Sequence, residues 1–82
     1  MSRNLIQKNI RLSHEFDKYV SNSPSAYRHI PKGARIVITS ANDKKLSDTN
    51  ISIARNSRGG QFIHAHKSSR GWTLNKFNRA TK

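Results

Sequence analysis

The chain has 82 residues, of which 33% are hydrophobic, and its 16 lysines and arginines outweigh 4 acids to give a formal net charge of +12. This length provides for one small domain with a modest core, and the excess of positive charge favours a polyanionic partner. Because the sequence contains no cysteine, it excludes disulfide bonds, thiolate catalysis and cysteine-ligated zinc.

The positive charge is concentrated in the second half of the chain. Residues 1–48 carry 9 Lys/Arg and all 4 acids, whereas residues 49–82 carry 7 Lys/Arg and no acid. The N-terminal stretch lacks the apolar run of a secretory signal, and no segment is apolar enough to span a bilayer. We therefore expect a cytoplasmic protein without membrane contact.

Two helices are predicted at the start of the chain. In "NLIQKNIRLSHEFDKYV", Leu5, Leu12 and Phe16 fall on one side at helical spacing, which predicts an amphipathic helix. Ser23-Pro24 then provides an N-cap followed by proline at the first helical position, which predicts a short second helix through "SAYRHI".

A strand, a helix and a second strand follow. "ARIVITS" is rich in β-branched residues, "ANDKKLSDTNISIARNS" has helical periodicity, and "QFIHAHK" is the second predicted strand. This order predicts a right-handed βαβ unit with parallel strands, and hence an α/β fold.

The C-terminal stretch "WTLNKFNRA" is compatible with two structures. The alternation of Trp72 and Leu74 with polar residues favours a third, antiparallel strand, whereas the spacing of Leu74 and Phe77 also allows a helical turn. We predict the strand. Residues 1–82 then form one domain, with a basic segment, 68–82, that we expect to be ordered only in part.

The last third of the chain carries the candidate binding surface. Its cations alternate with Phe62, Trp72 and Phe77; cations attract phosphates, and exposed rings can stack on unpaired bases. The alternative is that the rings are core residues and the charges form a solvated face. We predict that nucleic acid, either RNA or DNA, is bound through Arg55, Arg58, Lys67, Arg70, Trp72, Lys76 and Arg79.

His64 and His66 lie two residues apart and therefore share one face of a strand. The pair could serve as two metal ligands, as acid–base groups near neutral pH, or as hydrogen-bonded or phosphate-facing side chains. A metal would need a third ligand, and the cationic surroundings oppose a bound cation. We therefore predict no metal, no cofactor and no catalytic residue. The candidates for a third ligand are His14, His29, Asp43 and Asp48.

Two further polar positions carry expectations. Asn50 falls on the apolar side of its helix, so it either ties that helix to the preceding strand or lines a small pocket. Glu15 and Asp17 point in directions about 200° apart on the first helix, so we expect each to pair separately with Arg11 or Lys18.

Other functions are compatible with the same residues. The protein could be an interaction module that docks an acidic partner or forms a homodimer through an open sheet edge. A third hypothesis is a small metal-independent ribonuclease that uses His64 or His66 as its acid–base group.

Four segments together resemble a small prokaryotic family of domains of unknown function: "KNIRLSHEFDKYV", "IPKGARIVITSAND", "LSDTNISIAR" and "GGQFIHAHK". The resemblance covers residues from Asn4 to Lys67 and implies a compact α/β fold with a βαβ core, but no activity. The family commonly has several acids after the first strand, where this chain has Asp43 followed by Lys44 and Lys45. The resemblance therefore supports the fold, whereas the nucleic-acid prediction depends on charge.

Overall fold

The fold begins with two helices joined at a short break. The computed structural model describes residues 2–57 and 60–77. The side chain of Ser2 accepts a hydrogen bond from Leu5 N and caps α1, which spans Arg3–Ser21. The second helix, α2, spans Pro24–Arg28 and has Pro24 in its first turn, as the sequence predicts.

A three-stranded mixed sheet forms the other half of the domain. The strands are β1 (Arg35–Ser40), β2 (Phe62–Ser68) and β3 (Gly71–Phe77), and they lie side by side in that order. β1 and β2 are parallel, and β2 and β3 are antiparallel. The predicted α/β fold and its third strand are confirmed.

The helix α3, Lys44–Asn56, connects the two parallel strands. Asp43 Oδ1 caps it by accepting a hydrogen bond from Leu46 N at 3.0 Å. The side chains of Leu46 and Ala54 are buried, and α3 packs mainly on β1. Much of β2 and most of β3 therefore extend beyond the cover that α3 provides.

Each side of the sheet carries its own part of the core. On one side Phe16 of α1 packs with Ile38 and Ala65, and half-buried Trp72 and Leu74 pack against this cluster. On the other side Val37, Ala54 and Phe62 pack together, with Phe77 at their margin. The helix α1 thus covers the sheet as far as β3, whereas α3 covers one margin.

The predicted basic segment, 68–82, is described as far as Phe77. Its first part completes β2, forms the hairpin turn and supplies β3, where Gly71 adopts a positive φ of 113° that favours glycine. The remainder of the segment lies outside the described residues. None of the helices in the described part of the chain combines the length and the apolar character of a bilayer span.

Candidate nucleic-acid interface

The β2–β3 hairpin presents an open surface on the side away from α1. In the antiparallel register His64 lies opposite Asn75, and His66 lies opposite Thr73. Because side chains two residues apart share a face of a strand, these four residues and Phe77 point to the same side. We call His64, His66, Thr73, Asn75 and Phe77 the hairpin face.

The hairpin face combines aromatic rings with small polar groups. The His64 ring lies 6.1 Å from the His66 ring and 6.3 Å from the Phe77 ring, both edge-on. All three rings are half-buried, while Thr73 and Asn75 are exposed. The face therefore offers ring surface for stacking beside an amide and a hydroxyl that can hydrogen-bond.

Thr39 of β1 holds the two histidines in place. Its hydroxyl lies 2.6 Å from His64 Nε2 and 2.7 Å from His66 Nδ1, and the threonine itself is buried. A hydroxyl has one proton, so it donates to at most one of the two rings and accepts from the other. Burial lowers the pKa of His64, and the neighbouring His66 lowers it further. Hydrogen-bonded histidines were one of the sequence-based expectations.

A cleft of about 430 Å³ separates the histidines from α3. Lys44 and Ile51 line its helical wall. Arg55 lies one turn beyond Ile51 and within about 20° of Lys44 around the helix axis, so it stands on the same side of α3. Arg55 is exposed in the last turn of the helix.

The sheet divides the sequence-predicted residues between its two sides. Trp72 and Lys76 alternate with the residues of the hairpin face and lie on the side of α1, as does Lys67. Arg70 lies in the hairpin turn, about 20 Å along the chain from Lys76. Arg58 and Arg79 lie outside the described residues. Nucleic-acid binding by this set stays a prediction.

Trp72 and Lys67 form a cluster with α1. The Trp72 ring packs edge-on against Phe16 at 5.1 Å, and Lys67 Nζ lies 5.4 Å from the centre of the indole. Lys67 also forms an ion pair with Glu15, and this pair lowers the pKa of that carboxyl. The expectation that Glu15 pairs on its own helix is wrong, because the sheet brings Lys67 closer.

Two of the other three acids, Asp43 and Asp48, also form ion pairs. Lys8 pairs with Asp43 at 2.9 Å, and Lys44 pairs with Asp48 at 2.6 Å. Ten lysines and arginines of the described residues form no salt bridge with a carboxylate. They are Arg3, Arg11, Lys18, Arg28, Lys32, Arg35, Lys45, Arg55, Arg70 and Lys76. Residues 2–57 and 60–77 include no group of three side chains suited to hold a metal ion.

Sequence reasoning did not single out Thr39, Thr73 or Asn75. Thr39 reads as an ordinary β-branched strand residue, and Thr73 and Asn75 read as solvent-facing positions of β3. The alternation in "WTLNKF" contained the signal, since it separates the residues that share a side with Trp72 from those that do not.

Comparison with known proteins identifies a family without adding an activity. No curated protein and no solved structure was found to be similar to this chain. The model of a family of unknown function, DUF5647, matches residues 4–70 and thereby confirms the resemblance inferred from the four sequence segments. The chain belongs to this family of unknown function, DUF5647.

Proposed function

We propose that the protein is a non-enzymatic module that binds unpaired stretches of nucleic acid, RNA or DNA, on the hairpin face. The observation that supports the proposal most directly is the row of half-buried, partly exposed His64, His66 and Phe77 rings in a chain of net charge +12. A surface of this kind suits a polyanion that carries flat bases.

Stacking would bind the faces of the bases, and hydrogen bonds would bind their edges. Unpaired bases stack on aromatic and histidine rings, and amide and hydroxyl groups bond to base edges. Thr73 and Asn75 are exposed on β3 beside the two histidines, where a base edge could reach them.

Arg55 and Arg70 would hold the backbone at opposite ends of this surface. Arg55 stands at the end of α3, and Arg70 in the turn that follows β2; both are exposed and in no salt bridge of the described residues. Bases inside a duplex cannot reach a ring on a sheet, so the proposal requires a preference for single strands.

Fluorescence anisotropy with a labelled 12-nucleotide single strand tests the proposal. We expect binding that weakens with salt, with log K falling by about 0.7 for each phosphate neutralised. We expect the matched duplex to bind more weakly. Arg55→Gln combined with Asn75→Ala should weaken single-strand binding by about tenfold or more, since each lost contact is worth roughly a kcal/mol.

Arg28→Gln provides the matched control. Arg28, like Arg55, is an exposed arginine in the last turn of a helix, but it lies on α2 and away from the hairpin face. Equal losses from Arg28→Gln and Arg55→Gln would show that only net charge matters and would overturn the assignment to this face. Absence of salt-dependent binding to any strand would overturn the function itself.

A further inference from the structure

The backbone of β3 has a free edge. Arg35 N donates a hydrogen bond to Gln61 O, and Ala41 N donates to Lys67 O. The backbone N–H and C=O groups of the odd-numbered residues of β2 therefore point towards β1, and those of its even-numbered residues point towards β3. The partners of those even-numbered residues are Gly71, Thr73, Asn75 and Phe77. The N–H and C=O groups of Trp72, Leu74 and Lys76 therefore point outward from the sheet, and within residues 2–57 and 60–77 they have no backbone partner.

The opposite edge of the sheet is blocked. Ser47 Oγ accepts a hydrogen bond from Ser40 N at 2.8 Å, and Asn50 Nδ2 donates to Ile38 O at 2.9 Å. These two side chains of α3 take the places that an added strand would need on β1. A covering helix commonly protects a sheet edge, and in the described part of the chain α3 gives such cover to β1 and not to β3.

A cleft beside β3 could receive a side chain of an added strand. It has a volume of about 290 Å³ and lies between Trp72–Leu74 and the two N-terminal helices, where Tyr19, Ala26 and His29 line it. When a segment adds to a sheet edge, the main chain supplies the hydrogen bonds and alternate side chains enter such clefts.

The charge around this edge selects the kind of partner. Arg70 and Lys76 lie on or next to β3, and Arg28 precedes His29 of the cleft. The nearby Glu15 is bound to Lys67 and so adds no free negative charge. A second copy would bring another net charge of +12 to the same place and would be repelled.

We propose that the free edge of β3 docks an extended, acidic segment of another protein as a fourth strand. The segment would pair with the outward groups of Trp72, Leu74 and Lys76 and place an apolar side chain in the cleft beside Ala26. This site lies along the outer margin of the sheet, so it can be tested separately from the hairpin face.

Amide hydrogen exchange followed by NMR gives a direct test. The probe is a blocked octapeptide of alternating glutamate and valine. The amides of Trp72, Leu74 and Lys76 should exchange rapidly in the free protein and at least about tenfold more slowly when the peptide is bound, because each enters a hydrogen bond. Protection that fails to appear at these three amides, or that appears at Ile36 and Ile38 instead, overturns the proposal.

Lys76→Pro and Lys76→Gln form a matched pair. Both remove the charge, but only proline removes the outward N–H, and an edge position tolerates proline in the free protein. We expect Lys76→Pro to bind the peptide about three- to tenfold more weakly than Lys76→Gln. If Lys76→Pro does not fold, the exchange of the three β3 amides in the unmodified protein still tests whether the peptide binds at this edge.

Two further outcomes would contradict the acidic segment. If a peptide of alternating lysine and valine protects the same amides equally well, charge does not select the partner. If the same amides become protected as the protein alone is concentrated, the occupant is a second copy. Each result would replace the proposal.

Discussion

Asn9 on α1 and Asn50 on α3 exchange two side-chain hydrogen bonds, at 3.2 Å and 2.7 Å, over the outer edge of β1. The second hydrogen of the Asn50 amide goes to Ile38 O. One side chain thus joins both long helices to the edge strand. The expected tie between helix and strand is confirmed, and Asn50 also lines a cleft of about 210 Å³ beside β1.

Loss of this amide should destabilise the fold. We expect Asn50→Ala to lower the free energy of unfolding by about 1–3 kcal/mol, because the hydrogen bonds of Asn50 to Ile38 O and to Asn9 are all lost. Asn9→Ala should lower the free energy of unfolding by less, since Asn50 keeps its hydrogen bond to the strand. The double variant should lower it by less than the sum of the two single variants. Urea denaturation measures all three. Gln7→Ala, at an exposed site on α1, should change stability by less than about 0.5 kcal/mol; a similar value for Asn50→Ala would contradict the tie.

Trp72 should contribute to stability and not to nucleic-acid binding. The indole packs against Phe16 in the α1-side core, so Trp72→Ala should lower the free energy of unfolding by about 2–3 kcal/mol. The milder Trp72→Phe should leave the affinity for a single strand within about twofold, because this ring lies on the side of the sheet opposite the hairpin face. Denaturation and anisotropy check the two parts. A large loss of affinity with unchanged stability would restore the sequence-based stacking role.

His64 should make the stability of the protein depend on pH near neutrality. Its pKa is lowered in the folded state, so the unfolded chain binds the proton more readily and folding weakens as pH falls below the ordinary histidine value of about 6.5. Urea denaturation between pH 7.5 and pH 5.5 should show this decline, and His64→Gln should reduce it. His14→Gln, at an exposed site on α1, is the matched control and should retain the wild-type decline.

The chosen pH range separates His64 from the carboxyl groups. Lys67 lowers the pKa of Glu15, and the Leu46 N–H together with Lys8 lowers the pKa of Asp43. Groups of this kind stabilise the fold above their unfolded pKa and lose that contribution as pH falls through the folded value. Glu15 and Asp43 therefore change the stability of the fold only below about pH 4.5. A decline above pH 5.5 that persists unchanged in His64→Gln would contradict the role of this histidine.

Most elements of the fold were predictable because their signals are local. The spacing of Leu5, Leu12 and Phe16 depends only on helix geometry, and the β-branched run in β1 depends only on strand geometry. The third strand was less clear, since the spacing of Leu74 and Phe77 also allowed a helical turn. Pairing with β2 decided it, and the pairing partner lies outside the local pattern.

By itself, the sequence determined the two N-terminal helices, the strand–helix–strand order after them, the positive charge of the second half and the family to which the chain belongs. Only the tertiary structure decided which side of the sheet each residue faces, because that depends on strand register and on which strands a helix covers. Since α1 covers the sheet as far as β3 and α3 packs mainly on β1, Trp72 belongs to the core while His64, His66 and Asn75 lie on the open side.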